Sequence, residues 1–356
     1  MISRESFTVD WINRKRQEKK YSKVNPPIIE KMIHALGLLE ALVRQGLAFI
    51  FKGGTALVIL LDEPKRFSVD IDIITNHTRD ELEAVLTAVV GEGLFTRWEL
   101  DGARSYQGRI PKAHYFLYYR SNLNVATGYV LLDVLFEKHR YAVVARRSIT
   151  SSWVSVDGEA LQVETPSIDS ILGDKLTAFA PRTTGVPYGR NKSLEIVKQM
   201  HDVGHLFDHI KDLKVISKTF QAIVDQEVTY RGLTVDDDHV LDDIIGTSFM
   251  IGRAPKNHTA EEIPKYAEIS RGMVQFRGYL MTGTYSLDHA VESAAKAAYL
   301  AAKLKIRNFD PVERYDGQVI DFQFKSPPHN MLNRLRNIRT GSLYYWSKTA
   351  SCLGLE

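Results

Sequence analysis

Residues 67–74 alternate between apolar and polar side chains with a period of two. Successive side chains of a β-strand point to opposite faces, so this pattern predicts a strand with one buried face and one open face. The two sets are Val69, Ile71 and Ile73 on one side, and Ser68, Asp70 and Asp72 on the other. Such a strand must pair within a sheet, and that sheet carries two carboxylates on its open face.

Further elements are predicted ahead of this strand. Residues 26–45 repeat apolar side chains at helical spacing behind Pro26-Pro27, a pair that suits a helix start. Residues 48–51 read as a short buried strand, which a glycine pair interrupts, and residues 55–61 return to helix. The predicted order is helix, strand, glycine turn, helix and then the alternating strand.

The rest of the chain changes character near residue 165. Before that point we predict a helix at residues 79–90, an aromatic strand around residues 115–119 and a strand at residues 129–137. After it, the patterns of residues 168–180, 193–207 and 287–305 are helical. We therefore predict an α/β (α+β) fold. Residues 1–163 form a domain with a small mixed sheet and an N-terminal helical arm, and residues 164–356 form a mainly helical domain.

Composition narrows the class of protein. A length of 356 residues suffices for two domains, and a formal net charge of +3 permits a nucleic-acid partner without arguing for one. The single cysteine, Cys352, cannot close an intramolecular disulfide, which favours a reducing cytoplasm. The basic N-terminus is not followed by an apolar stretch of signal-peptide type, and no apolar run could span a bilayer, so we expect no membrane partner.

The carboxylates indicate a metal site. Asp70 and Asp72 point to the same side of their strand, and Asp133 lies inside an otherwise apolar later strand. Mg²⁺ prefers carboxylate oxygens, and a pair of such ions can hold the attacking hydroxyl and the leaving group of a phosphoryl-type transfer. Taken alone, an Asp-x-Asp strand is more often a solvated face, and a salt bridge could equally satisfy Asp133.

The glycine pair indicates a phosphate site. A strand that turns through Gly53 and Gly54 into a helix presents backbone N–H groups at a helix N-terminus, where anions are favoured. Glycine also lets a triphosphate approach the backbone closely. Lys52 and the Thr55 hydroxyl are candidates for further phosphate contacts. A glycine pair after a strand is usually only a turn, so the signal depends on its combination with the aspartates.

Other chemistries find little support in the sequence. His201-Asp202 resembles the core of an HD phosphohydrolase, but His114 and His139 are predicted on strands or turns, where they would not complete that site. The sequence contains neither a Walker-type nor a dinucleotide-binding glycine motif, and neither a nucleophile elbow nor zinc-ligand spacing.

Two runs together resemble the signature of the AbiEii/AbiGii abortive-infection toxin family. They are Lys-Gly-Gly-Thr-Ala-Leu at residues 52–57 and Arg-Phe-Ser-Val-Asp-Ile-Asp-Ile at residues 66–73. The likeness continues at residues 173–178 and, more loosely, at residues 198–207, and it can be followed over roughly residues 28–210. This family belongs to the DNA polymerase β-like nucleotidyltransferases, so the resemblance implies their fold and their nucleoside triphosphate-dependent, pyrophosphate-releasing activity.

The resemblance also implies a role for each matching residue. Asp70 and Asp72 would bind Mg²⁺ or Mn²⁺, with Asp133 as the third acidic ligand or as the base for the incoming hydroxyl. Gly53, Gly54 and Ser68 would lie at the triphosphate. Lys175 would steady phosphate charge, and Asp202 would orient Lys175 or contact the nucleotide. The segment before Asp202 lacks the strongly basic context typical of the family, and a helical lysine such as Lys175 is often simply solvated.

For the acceptor, the resemblance implies RNA, in particular the 3′ end of tRNA, and a neighbouring antitoxin that restrains the enzyme. Transfer to a protein hydroxyl and a non-catalytic nucleotide-binding module remain alternatives. An RNA partner would need a basic track. Its candidates are the arm at residues 14–20, the segment at residues 182–192, and a C-terminal basic and aromatic set consisting of Arg334, Arg336, Arg339, Tyr344, Tyr345, Trp346 and Lys348. The alternative for the C-terminal set is an amphipathic helix with Leu332, Leu335 and Ile338 packed inward.

Overall fold

The computed structural model describes residues 1–22, 24–105, 110–124, 126–253, 255–337 and 339–355. The chain divides into two compact units. Unit 1 comprises residues 1–139, 144–167 and 278–283, and unit 2 comprises residues 140–143, 168–277 and 284–356. Among the described residues, no helix combines the length and the apolar character that crossing a bilayer requires.

Unit 1 contains helices and one sheet. Its α-helices are α1 (Val9–Gln17), α2 (Pro26–Arg44), α3 (Gly53–Leu60) and α4 (Arg79–Gly91), and its 3-10 helices are Arg4–Phe7 and Lys19–Tyr21. The strands are β1 (Ile50–Lys52), β2 (Ile71–Thr75), β3 (Arg97–Leu100), β4 (Lys112–Arg120), β5 (Thr127–Phe136), β6 (Val144–Ser148) and β7 (Gln162–Pro166). This mixed sheet and the helices of unit 2 confirm the predicted α/β class.

The seven strands form one sheet in the order β3-β4-β5-β2-β1-β7-β6. Strands β2 and β5 run parallel, as do β1 and β7, while the other neighbouring pairs are antiparallel. The central pairing of β2 with β5 places the predicted Asp-x-Asp strand beside the strand that carries Asp133.

One face of the sheet is covered by helices. Strand β5 buries Val130, Leu132 and Val134 on this side. Helix α2 packs on this face, where the ring of its His34 stacks on the Tyr119 ring of β4 with the centroids 3.7 Å apart. We call the opposite side, which carries the carboxylates of β2 and β5, the open face.

The alternation predicted for residues 67–74 is confirmed. Phe67, Val69 and Ile71 are buried, whereas Ser68 and Asp70 are partly exposed. The paired strand nevertheless begins only at Ile71. The residues before Ile71, which lead into the strand, pair with a different segment: the Phe67 N–H donates to the Tyr279 carbonyl at 2.7 Å. This pairing joins segments about two hundred residues apart in the chain, which local patterns cannot reveal.

Unit 2 is helical. Its helices are α5 (Ile168–Ala178), α6 (Ser193–Leu206), α7 (Leu213–Arg231), α8 (Asp237–Gly252), α9 (Glu262–Phe276), α10 (Leu287–Lys305) and α11 (Thr340–Leu353), with 3-10 helices at Phe207–His209 and His329–Asn337. A further 3-10 helix, Arg277–Tyr279, lies where the chain passes between the units. The helices predicted at residues 168–180, 193–207 and 287–305 are confirmed as α5, α6 and α10.

The C-terminal basic and aromatic set does not form a stacking platform. Tyr344, Tyr345 and Trp346 of α11 are 7%, 3% and 1% exposed, so their faces are not available to a base. Leu332 and Leu335 are buried, as the amphipathic alternative predicted, while Ile338 lies outside the described residues. The arginines and the lysine of the set are engaged within the unit: Arg334 with Gly252, Arg336 with Ile320 and Phe322, Arg339 with Glu292, and Lys348 with Glu313.

Candidate active site

The turn between β1 and α3 lies directly against Asp72. Gly53 has φ +77°, in the left-handed region that favours glycine. A Cβ at this position would lie 2.0 Å from the Asp72 Oδ2. Glycine is therefore required here for two reasons, the backbone conformation and the space that the carboxylate occupies.

Gly54 adjoins two further polar groups. A Cβ on Gly54 would lie 2.7 Å from the Ser68 hydroxyl and 2.6 Å from Nη2 of Arg66. The structure thus places Ser68 at the glycine turn. It also brings in Arg66, which sequence reasoning did not select although it opens the second motif. Arg66 is 7% exposed and donates from Nη1 to the Phe67 carbonyl at 3.1 Å.

A row of ionisable residues crosses four adjacent strands. Lys52 of β1 pairs in register with Asp72 of β2, Asp72 pairs with Asp133 of β5, and Asp133 pairs with His114 of β4. Side chains directly opposite one another on neighbouring strands lie on the same face of the sheet. The row therefore presents a cation, two carboxylates and an imidazole side by side on the open face.

His114 is the hydrogen-bond partner of Asp133. Its Nδ1 lies 2.5 Å from Asp133 Oδ1, and the carboxylate accepts. The His114 side chain is 9% exposed and that of Asp133 is 28% exposed. Among the described residues, the buried Nε2 of His114 has no hydrogen-bond partner. The sequence suggested His114 only for a different site. The signal that could have indicated its role is its even-numbered position in the strand of residues 112–120, which puts it on one face with Phe116 and Tyr118.

Asp70 precedes β2 and is held from two sides. The buried Thr55 hydroxyl donates to the Asp70 carbonyl at 2.5 Å, which ties α3 to the lead-in of β2. The Lys31 ammonium of α2 lies 3.8 Å from Asp70 Oδ1. Burial lowers the pKa of Lys31, and the nearby Asp70 charge opposes that shift. Thr55 thus has a positioning contact, and its contact with a nucleotide stays a prediction.

The donor set fits a divalent cation. Asp72 and Asp133 offer neighbouring, partly exposed carboxylate oxygens, the ligand type that Mg²⁺ prefers. In the part of the chain that the structure describes, no group of three His, Cys, Asp or Glu side chains has the geometry of a metal site. Mg²⁺ commonly uses only one or two carboxylates beside phosphate and water. The pair is therefore compatible with an ion that a nucleotide would help to hold.

Lys175 and Asp202 form an ion pair inside unit 2. The Lys175 Nζ lies 3.0 Å from Asp202 Oδ2 and donates to Gln199 Oε1 at 2.9 Å. Lys175 is 7% exposed and Asp202 is 1% exposed. The solvated-helix reading of Lys175 is therefore wrong. A buried pair of this kind requires both partners, because either charge alone would be costly to bury.

The remaining basic candidates are partly neutralised. In the N-terminal arm, Arg14 pairs with Glu5, and Lys15 lies 3.7 Å from Glu18. In the segment at residues 182–192, the buried Asp243 carboxylate accepts from the backbone N–H of Arg182 at 2.7 Å, and the positive charge of Arg182 also favours its ionised form. Burial raises the pKa of Asp243, against the backbone and hydroxyl donors that stabilise its charge.

Comparison with known protein families shows the family to which this chain belongs. The family described as nucleotidyl transferase AbiEii toxin, type IV TA system, matches residues 37–293, which is more than half of the chain. The chain belongs to the AbiEii family. It is a nucleotidyltransferase, and membership implies a nucleoside triphosphate substrate and an antitoxin partner.

Solved structures resemble this AbiEii chain distantly. JHP933 from Helicobacter pylori shares 14% identity at a TM-score of 0.44, and the match covers 78% of this chain and 95% of that one. An antigenic nucleotidyltransferase-like protein from Paracoccidioides brasiliensis shares 16% identity at a TM-score of 0.37, covering 57% and 89%. Curated proteins give no match.

Proposed function

We propose that this AbiEii enzyme transfers a nucleoside monophosphate from a nucleoside triphosphate to an RNA acceptor, in particular the 3′ end of tRNA. The observation that carries the proposal is the row Lys52–Asp72–Asp133–His114, which lies against the Gly53 turn. Together, the row and the turn combine a helix N-terminus that favours anions with carboxylates on neighbouring strands, as metal-assisted phosphoryl chemistry requires.

The triphosphate is proposed to lie at the start of α3. Helix α3 begins at Gly53, so its first N–H groups and its dipole face the turn. Gly54 leaves space beside the Ser68 hydroxyl. Lys52, at the end of β1, adds a positive charge in register with Asp72. These groups would bind the β- and γ-phosphates and hold the α-phosphorus over the open face.

The reaction exchanges one P–O bond for another. The acceptor hydroxyl attacks the α-phosphorus, the bond to the β-phosphate bridging oxygen breaks, and pyrophosphate leaves with the electron pair. Asp133 would take the hydroxyl proton or serve as the third acidic ligand, and the hydrogen bond from His114 would hold its carboxylate in either role. Asp70 and Asp72, with Asp133 in its ligand role and with the phosphates of the nucleotide, would hold Mg²⁺, which would supply charge neutralisation at the triphosphate and activation of the hydroxyl.

We further propose that Lys175 steadies phosphate charge and that Asp202 orients it. The 3.0 Å ion pair supports the orienting role, because it holds the ammonium in one position. We further propose that the enzyme acts in the cytoplasm, where RNA and nucleoside triphosphates are available, and that its cognate antitoxin restrains it there.

The test is label transfer with an isosteric variant. The wild type is incubated with each α-labelled triphosphate, Mg²⁺ and total cellular RNA, and the products are separated by size. Asp72→Asn is expected to fold normally, to lose transfer and to relieve growth inhibition in a bacterial host. Asp80→Asn, in the exposed first turn of α4, is the matched control. Full transfer by Asp72→Asn would contradict the metal assignment, and label that migrates with protein would contradict the RNA acceptor.

A further inference from the structure

Three aromatic side chains cluster on the open face of the sheet. They are Phe116 and Tyr118 of β4 and Tyr129 of β5, which we call the aromatic patch. Tyr118 and Tyr129 are register partners with ring centroids 6.1 Å apart, and Phe116 meets Tyr129 edge to face at 5.1 Å. Tyr129 is 43% exposed, which places a large ring at the surface.

The patch lies on the same face as the ionisable row. Phe116 follows His114 by two positions and Tyr129 precedes Asp133 by four, and residues separated by an even number share a face of a strand. At about 3.4 Å per residue, the patch begins about 7 Å from the row and extends to about 14 Å. Cross-strand packing explains why aromatic side chains face each other, but it does not require an exposed ring beside a set of carboxylates.

Two of the three rings of the patch each have a cation over one face. The Lys31 ammonium lies 4.5 Å from the centroid of the Tyr129 ring, and the Arg97 guanidinium of β3 lies 3.7 Å from that of Tyr118. Arg120, two positions beyond Tyr118, is exposed on the same face. A carboxylate accompanies each of these two cations: Asp70 lies 3.8 Å from the Lys31 ammonium, and Glu99 pairs with Arg97 at 2.9 Å and accepts from the Tyr118 hydroxyl at 2.9 Å. Aromatic rings interleaved with cations are typical of surfaces that bind single-stranded nucleic acid by stacking on its bases.

The position of the patch distinguishes the acceptor from the incoming nucleotide. The glycine turn follows β1, and the patch lies on β4 and β5. In the sheet, β2 lies between β1 and β5, so it separates the turn from the patch. Phosphoryl transfer places the attacking and leaving oxygens roughly in line on opposite sides of phosphorus. If pyrophosphate leaves at the glycine turn, the hydroxyl must approach from the side of β5 and β4. The chain that carries that hydroxyl then passes over the patch.

We propose that the aromatic patch binds the terminal bases of a single-stranded RNA acceptor and delivers its 3′ hydroxyl to the row at Asp133. This inference rests on the proposed function, because it takes the glycine turn as the triphosphate site. It assigns the binding energy for the acceptor to base stacking on Tyr129 and Phe116, with the exposed Arg120 beside the patch as the cation for the RNA backbone.

The experiment separates acceptor binding from nucleotide binding. A short fluorescein-labelled single-stranded RNA is titrated with the full chain in the absence of triphosphate, and fluorescence anisotropy reports the Kd. The double leucine variant combines Tyr129→Leu and Phe116→Leu. It keeps apolar side chains of similar bulk on the strands and removes the rings on which bases would stack. We expect the Kd for RNA and the acceptor KM to rise about 5- to 100-fold, with the KM for triphosphate nearly unchanged. Tyr129→Phe, which keeps the ring, is expected to bind RNA more tightly than Tyr129→Leu.

A control variant and the other possible outcomes distinguish the inference from its alternatives. Val274→Ala, at an exposed position of α9, controls for nonspecific loss. Unchanged RNA binding and an unchanged acceptor KM in the double leucine variant would overturn the inference. If Asp72→Asn is inactive in the same experiments, the proposed function still holds. A rise confined to the KM for triphosphate would assign the patch to the incoming base and overturn the acceptor assignment. Absence of label transfer from any triphosphate to RNA in the wild type would instead contradict the proposed function itself.

Discussion

The imidazole of His114 holds the carboxylate of Asp133 through a 2.5 Å contact between Nδ1 and Oδ1, across the register of β4 and β5. A carboxylate held in this way can present its other oxygen to a metal ion or to the incoming hydroxyl. We expect His114→Leu to lower kcat about 10- to 100-fold, as the loss of comparable supporting contacts does. The KM for triphosphate should change much less, because the phosphates are proposed to lie at the glycine turn.

A positioning role has a signature that loss of folding would not produce. Asn keeps a donor near the place of Nδ1, so His114→Asn should recover part of the kcat lost in His114→Leu. Mn²⁺ binding in the presence of a non-hydrolysable triphosphate, followed by electron paramagnetic resonance, should weaken in the leucine variant and recover in the asparagine variant. Equal kcat values for both variants would show that the hydrogen bond does not position Asp133.

Gly53→Ala is expected to displace Asp72 and abolish transfer, because the added Cβ would lie 2.0 Å from Oδ2. Gly46→Ala is a matched control, since Gly46 has φ +76° and no atom within 4 Å of the Cβ position. Both variants should lose about 1–2 kcal/mol of unfolding free energy to backbone strain. Urea unfolding and label transfer together check this, and wild-type transfer by Gly53→Ala would contradict the placement of Asp72.

Asp202→Leu should lower the unfolding free energy by about 3–5 kcal/mol, because it leaves the Lys175 charge buried without its partner. The double variant Lys175→Met with Asp202→Leu should recover most of that loss, since it removes both charges. We expect the double variant to fold and yet to transfer nucleotide much more slowly, as the ammonium is absent. If the double variant is as unstable as Asp202→Leu, the two charges are not coupled in the way that the 3.0 Å distance indicates.

Burial lowers the pKa of His34 from 6.5 to about 4, against the Glu30 carbonyl that raises it. The unfolded chain therefore binds a proton below about pH 6.5 that the native state does not bind until about pH 4. The contribution of His34 to stability is complete above that range and is lost as the pH falls through it. Between pH 7.5 and pH 5, this should cost the wild type about 2 kcal/mol more than His34→Phe. Urea unfolding at both pH values measures the difference, and parallel losses in the two proteins would contradict it.

Much of unit 1 was predictable because its signals are local. The helix at residues 26–45 and the strands at residues 48–51 and 129–137 were recognised from periodicity and breakers, and the structure confirms them as α2, β1 and β5 with small differences at their ends. The prediction of an Asp-x-Asp strand after a glycine turn also holds, and family membership agrees with it. The assignment of individual catalytic roles stays a prediction.

Several features of the site could not be predicted, since they depend on pairing between distant segments. Arg66 lies beside Gly54 only because the turn and the lead-in of β2 fold together. The residues of the aromatic patch lie on two strands that were predicted separately, but nothing in either strand indicated that Tyr118 would lie opposite Tyr129. A shift of one residue in that register would send every side chain to the other face.

The glycine turn and the pair Asp70 and Asp72 are the part of this enzyme that its sequence determined by itself. Strand geometry places residues i and i+2 on one face, and glycine permits a positive φ, whatever the rest of the chain does. Only the tertiary structure decided that Asp133 is held by His114 and that Lys175 is buried against Asp202. Register and burial depend on the free energy of packing segments that are far apart in the chain, and no local pattern records which partner packs best.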